Sequence, residues 1–168
     1  MEATVIKTEH LELRQFTQRD RDEVVVLLQD ADFMAFSPTG GMSSEQAETR
    51  FDALVNAFHN KGIGKFCVIE RSTGELIGYC GLESYDYNGE TVVELGYRLK
   101  VSARGKGYAF EASSAVLSFA REVGFSTVLA LTEPENVLSQ HILLKLGFEA
   151  CGEGFYQNMP VNYFEKRI

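Results

Sequence analysis

The residues most plainly arranged for chemistry are Arg104-Gly105-Lys106-Gly107-Tyr108-Ala109, set between two contrasting stretches. The run from Thr91 to Lys100 is β-branched and aromatic and predicts a strand. Beyond the turn, Tyr108, Ala112, Ala115, Val116, Phe119 and Val123 fall at helical spacing. A strand that empties through a glycine-rich turn into a helix leaves several backbone N–H groups without intrahelical partners. The positive end of the helix dipole lies behind them. Gly105 and Gly107 carry no Cβ, so the backbone can approach a ligand closely, while Arg104 and Lys106 add positive charge. The chemistry implied is the cradling of a pyrophosphate.

Two better-known phosphate loops do not fit these residues. A P-loop lysine is followed by Ser or Thr, whereas Lys106 is followed by Gly107. A dinucleotide fingerprint needs a glycine three residues after Gly107, where Phe110 stands. An ordinary basic, glycine-rich connection remains the plain alternative.

The sequence downstream narrows the choice. Ser126 to Thr132 reads as a buried strand, Glu133-Pro134-Glu135-Asn136 as a connection, and Val137 to Leu146 as a helix stopped by Gly147-Phe148. Asn136-x-x-Ser139 followed by Lys145-x-Gly147-Phe148, after the Arg-x-x-Gly-x-Ala of Arg104, Gly107 and Ala109, resembles the GNAT superfamily of acetyl-CoA-dependent N-acetyltransferases. The opening Thr8-Glu9-His10-Leu11-Glu12-Leu13-Arg14-Gln15-Phe16 with Asp20 is similar to the subgroup containing ribosomal-protein N-terminal acetyltransferases. Gly74-Glu75-Leu76-Ile77-Gly78 and Glu94-Leu95-Gly96-Tyr97 match it too. The likeness covers nearly the whole chain. It implies an α/β (α+β) fold: a mixed, mostly antiparallel central sheet, splayed at two strands and flanked by about four helices.

The elements that must position these residues follow the order β-α-α-β-β-β-α-β-α-β-β. Leu11 to Phe16 is the first strand expected. Thr17 with Asp20, and Ser43 with Gln46, read as capping boxes opening two helices, the second with Phe51, Leu54, Val55 and Phe58 on one face. Phe66 to Glu70 and Leu76 to Ser84 pair around Ser72-Thr73-Gly74, and Asn88-Gly89 signals a hairpin. Phe148 to Gln157 and Val161 to Lys166 complete the sheet. All 168 residues are expected in one domain.

Composition excludes some classes. No run approaches the roughly 18 apolar residues of a membrane span, and the start, Met1 to Lys7, is too polar for a signal peptide. Cys67, Cys80 and Cys151 are odd in number, lack metal-ligand spacing and read as reduced core residues of a cytoplasmic protein. No metal is expected. Lys plus Arg is 16 against 24 for Asp plus Glu, a formal net charge of −8. That balance repels nucleic acid and suits a cationic acceptor.

What the resemblance implies about the site is specific. Pantetheine would lie in the gap between the splayed strands, its amides bound by the backbone of Leu99, Lys100 and Val101. The N–H groups of Arg104, Gly105, Lys106, Gly107, Tyr108 and Ala109 would hold the pyrophosphate. Asn136 and Ser139 would face the pantetheine arm and thioester; Asn136 also reads as an ordinary N-cap.

Transfer to an amine needs a base, because an ammonium has no lone pair, and a donor for the departing thiolate. Glu94 is the expected base and equally a structural glutamate. Many relatives place a tyrosine four residues after the position of Ser139, but Leu143 stands here, so Ser139 is expected to serve the thiolate, with Tyr156 and Tyr163 as fallbacks. Phe33, Met34, Phe36, Ser37, Tyr85, Tyr87, Phe155 and Tyr156 are expected around the acceptor. The acceptor is read as a protein N-terminal α-amino group. A small amine such as an antibiotic or polyamine, or a non-catalytic acetyl-CoA-binding module, are the alternatives. The oligomer is left between monomer and homodimer.

Overall fold

The computed structural model describes residues 4–168. Met1 to Ala3, part of the opening read as too polar for a signal peptide, lie outside the described residues. Eight strands form one sheet in the order β1-β2-β3-β4-β5-β6-β8-β7. They are β1 (Val5–Lys7), β2 (Leu11–Arg14), β3 (Lys65–Glu70), β4 (Glu75–Tyr87), β5 (Glu90–Leu99), β6 (Thr127–Thr132), β7 (Glu149–Tyr156) and β8 (Met159–Arg167). Four α-helices accompany them: α1 (Arg21–Gln29), α2 (Ser44–Lys61), α3 (Tyr108–Glu122) and α4 (Val137–Lys145). The mixed, mostly antiparallel sheet with four helices agrees with the expected architecture. Only β5 and β6 run parallel. The strand β1 was not expected. It is three residues long and sits at the sheet edge against β2, too short for a periodic signal.

Local sequence explains most boundaries. Ser43 Oγ accepts from the Gln46 N–H at 3.1 Å, and Gln46 Oε1 accepts from the Ser43 N–H at 2.9 Å, closing a capping box on α2. Asp20 accepts from the Thr17 N–H at 2.8 Å and also from Arg14, which ties the start of the first helical segment to β2. Asn88 and Gly89 have φ of 50° and 82°, the left-handed pair that a two-residue hairpin requires. Gln157 and Asn158 do the same between β7 and β8 without a glycine, so that turn was not legible as one.

Residues alternating along β3 serve two cores. Phe66 and Val68 pack with α3 residues such as Ala112, Val116 and Phe119, whereas Cys67 and Ile69 pack with Phe51, Leu54 and Val25 of the α1–α2 layer. The sheet is thus covered on both faces, and whatever enters it must do so where strands part. Two sequence expectations change here. Val123 is 48% exposed, because it caps α3 instead of lying within it. Cys151 is exposed on the edge strand β7, not in a core. No helix among the described residues is long and apolar enough to cross a membrane.

Candidate active site

The parting occurs between β5 and β6. These strands share a single register pair, Glu94 with Leu129. Beyond it β5 continues to Leu99 against β4 alone, while β6 continues to Thr132 against β8. Antiparallel pairing decides which β5 amides face the gap. The Lys100 N–H donates to the Ile77 carbonyl at 2.7 Å, toward β4. The intervening residues Tyr97 and Leu99 therefore present their backbone to the other side, into the gap. Of the three residues expected to bind pantetheine, Leu99 turns its N–H toward the gap. Lys100 faces β4, and Val101 has left the strand for a 3-10 turn in which its carbonyl accepts from the Arg104 N–H at 3.1 Å. Tyr97, which the sequence reading did not place among them, turns its backbone toward the gap as well.

The Gly105–Ala109 segment follows at once. Gly105 and Gly107 have φ of 76° and 81°, and a Cβ built on either meets nothing within 4 Å, so the concave side of the turn is open. Among the described residues, no hydrogen bond engages the N–H of Gly105, Lys106, Gly107, Tyr108 or Ala109. Five free donors at the start of a 15-residue helix fit a pyrophosphate. Arg104 departs from expectation. Its N–H bonds Val101, its Nε donates to the Leu99 carbonyl at 3.2 Å and its Nη2 to the Asp32 carbonyl at 3.0 Å. Arg104 thus braces the turn. The Lys106 ammonium lies 3.6 Å from Glu70, which also accepts from Tyr108 Oη at 2.7 Å.

A cavity of about 700 Å³ opens at the gap and carries Glu94, Asn136 and Ser139 on one surface. Asn136 is the N-cap as expected: its Oδ1 accepts from the Ser139 N–H at 3.2 Å. Ser139 Oγ in turn shares a hydrogen bond with Tyr97 Oη at 2.8 Å, across the gap. Burial pushes the Tyr97 phenol up to about 12. The cavity also holds Thr132, whose buried Oγ1 has no partner among the described residues.

Glu94 belongs to a chain of charges that sequence spacing did not reveal. Lys65 Nζ lies 3.6 Å from Glu94 and 3.4 Å from Glu83, and Arg50 grips Glu83 with two bonds of 3.1 and 2.6 Å. Two cations balance two carboxylates in a largely buried cluster. Burial raises the Glu94 carboxyl above its ordinary value and Glu83 adds to that, against the pull of Lys65. For Glu83, burial is overcome by Lys65 and Arg50, and its carboxyl falls to about 2. The sign follows for stability. Glu83 stabilises the fold above its ordinary value of 4.5 and ceases to do so as pH falls toward about 2. We expect Glu83→Gln to flatten the acid limb of a stability–pH curve over that interval. An unchanged acid limb would show the pair to be inconsequential.

Of the residues expected around the acceptor, Met34, Phe36, Ser37, Tyr85, Phe155 and Tyr156 line this cavity. Two expected members are elsewhere. Phe33 is 2% exposed and packs edge-on against Tyr79 in the core. Tyr87 does not line the cavity and approaches the Cys151 sulfur at 3.7 Å. Tyr163 is tied to Tyr85 through their hydroxyls at 2.8 Å. The loop bearing Phe36 is held by Arg98, which donates to the carbonyls of Phe33, Ala35 and Phe36. Phe36 is kept at φ 58°, an uncommon conformation for a bulky residue, beside the cavity. Among the described residues no group of three His, Cys, Asp or Glu could hold a metal ion.

Splayed strands, a free-amide turn and an N-capped helix meet at this gap, and comparison with known proteins gives the family of the chain. Residues 10–149 match the family model described as acetyltransferase (GNAT) domain. The chain belongs to the GNAT acetyltransferases, which take their acetyl group from acetyl-CoA. It is 32% identical over 153 residues, 90% of this chain and 85% of the other, to the uncharacterized N-acetyltransferase YnaD of Bacillus subtilis. An acetyltransferase (GNAT family) from Bacillus anthracis superposes with TM-score 0.77 at 26% identity, covering 98% of each chain. The ribosomal-protein-S5-alanine acetyltransferase of Vibrio fischeri superposes with TM-score 0.80 at 19% identity, covering 98% of this chain and 96% of that one.

Proposed function

We propose that this enzyme acetylates the α-amino group of a protein N-terminus by direct attack on acetyl-CoA in a ternary complex. The observation that carries the reading is the placement of Glu94 and Ser139. Glu94 on β5 and Ser139 in the first turn of α4 line one cavity at the point where the sheet opens. Glu94 shares its face with Lys65 and Arg50 and takes the ammonium proton. An α-amino group titrates near ~8, so a carboxyl raised by burial narrows the gap the proton must cross. The Tyr97 N–H, facing the gap, meets the carbonyl oxygen as it gains charge. Ser139 Oγ hydrogen-bonds the departing thiolate. The likeness to the Vibrio fischeri enzyme, a ribosomal-protein-S5-alanine acetyltransferase, supports a polypeptide acceptor.

A small amine is the competing acceptor, favoured by the aromatic walls of Phe36, Tyr85 and Tyr156. Acetyl-CoA consumption over a panel of N-terminal peptides, polyamines and aminoglycosides separates the two. Peptides should turn over at least about tenfold faster in kcat/KM, and the reverse order would replace the proposal with the small-amine reading.

Direct transfer also makes a prediction about thiols. Burial pushes Cys67 up to about 12 and Cys80 up to about 11, which leaves both as inert thiols. Cys151 is exposed but lies outside the cavity. We expect Cys151→Ser to keep turnover within about twofold of wild type. A kinetically competent acetyl-cysteine, trapped by rapid quench, would overturn direct transfer.

A further inference from the structure

The hydrogen bond between Tyr97 and Ser139 joins two sides of the gap that no backbone bond connects. Tyr97 stands on β5, three residues past the last pair with β6, and Ser139 stands in the first turn of α4. Both line the cavity. Two hydroxyls joined by one hydrogen bond carry two hydrogens and use one between them. The other is left to point away from the bond. A phenol is a far stronger acid than an alkyl hydroxyl, so the favoured direction has Tyr97 donating and Ser139 accepting. The Ser139 hydrogen is then free for a third group. Without Tyr97, a serine in the first turn of a helix can rotate its hydroxyl toward a backbone carbonyl one turn back.

We propose that Tyr97 is a positioning residue that aims the Ser139 O–H at the coenzyme A sulfur, so that the pair stabilises the thiolate. The inference rests on the assignment of Ser139 to the thiolate made above. The steps balance as follows. Glu94 takes the ammonium proton and passes it to solvent before attack. The neutral amine's lone pair then forms the C–N bond, the C–S bond breaks with its electron pair on sulfur, and the second nitrogen proton goes to the regenerated Glu94 carboxylate. Sulfur leaves as a thiolate hydrogen-bonded by Ser139. A thiol titrates near ~8.5, well below any alkyl hydroxyl, so Ser139 shares its proton without surrendering it. Tyr97, pushed up to about 12, likewise stays a phenol through the cycle.

Free coenzyme A tests this without an acceptor. Its affinity is measured by calorimetry on the full chain below and above the thiol pKa. Desulfo-coenzyme A serves as the control for every other group that bears on the cavity. Those groups are Glu94 and Arg98 on β5, Lys65, Glu83 and Arg50 beyond Glu94, Tyr79, Tyr85 and Asp86 on β4, Glu133 before α4 and Tyr156 on β7, with Cys80 of β4 paired to Tyr97. A hydrogen bond to a charged group exceeds one to a neutral group by enough to tighten wild-type binding about tenfold as the thiol ionises. Tyr97→Phe and Ser139→Ala should each abolish that tightening, and the double variant should lose no more than Ser139→Ala alone. Failure of wild type and every variant to bind coenzyme A would sink the acetyl-CoA reading together with this one. Binding by wild type that ignores thiol ionisation would overturn the thiolate role of the pair and leave the cofactor assignment intact. Tightening lost in Ser139→Ala and kept in Tyr97→Phe would remove Tyr97 alone.

Discussion

Glu94→Gln is expected to lower kcat by roughly 10²–10⁴-fold, the contribution of a well-placed general base. The deficit has a pH window. Below the raised pKa of Glu94 the wild-type carboxyl is itself protonated, so the two proteins converge. Above about 8 an α-amino acceptor is already neutral, so the need for a base fades. The loss should therefore peak between those limits. The fold should tolerate the change. A carboxyl whose pKa is raised in the folded state costs stability once pH exceeds that value. Removing its charge then spares a buried anion, and Lys65 retains Glu83 at 3.4 Å. Thermal unfolding should shift by only a few degrees and acetyl-CoA affinity by less than about threefold. A Gln variant that is folded and matches the wild-type pH–rate profile would reduce Glu94 to a partner of Lys65.

Gly107→Val is expected to weaken acetyl-CoA binding by at least about a hundredfold. Hydrogen bonds to a charged group contribute about 1.5–3 kcal/mol each. Displacing the pyrophosphate from two N–H donors at 1.4 kcal/mol per tenfold reaches that figure. Gly107 has φ 81° and open space where a Cβ would stand, so the added side chain projects into the space left for the ligand. Strain is the competing cause, because a β-branched residue is disfavoured at positive φ. Gly62→Val separates the two. Gly62 caps α2 at φ 72° with equally open surroundings and belongs neither to the turn at 104–109 nor to the strands and helix around the gap. Both variants should lose similar stability, and only Gly107→Val should lose the cofactor. Equal acetyl-CoA affinity in wild type and Gly107→Val would move the pyrophosphate elsewhere.

Much of this arrangement was written in local chemistry. The turn at 104–109 is legible because a glycine-rich exit from a β-branched run leaves amides that no helix can use. The box at Ser43 and Gln46, the hairpin at Asn88-Gly89 and the cap at Asn136 are each closed within three residues. The family resemblance of the stretches around Glu94 and Ser139, and not their local chemistry, marked those two as residues worth testing.

What tertiary structure alone decided is who meets whom across the sheet. Alternation along β5 turns Tyr97 and Leu99, instead of Lys100 and Val101, toward the gap, which depends on the β4 register. Arg104 sends its side chain to Asp32, 72 residues away, and Arg98 holds the loop bearing Phe36, so residues that read as phosphate ligands or plain strand are braces. Lys65 reaches Glu94 and Glu83 only because β3, β4 and β5 lie side by side. Tyr97 finds Ser139 over 42 residues for the same reason. A sequence records the period of a strand and the cap of a helix because those interactions span a few residues. The pairing of buried charges and hydroxyls is set by strand order and register, which arise only when the whole sheet forms.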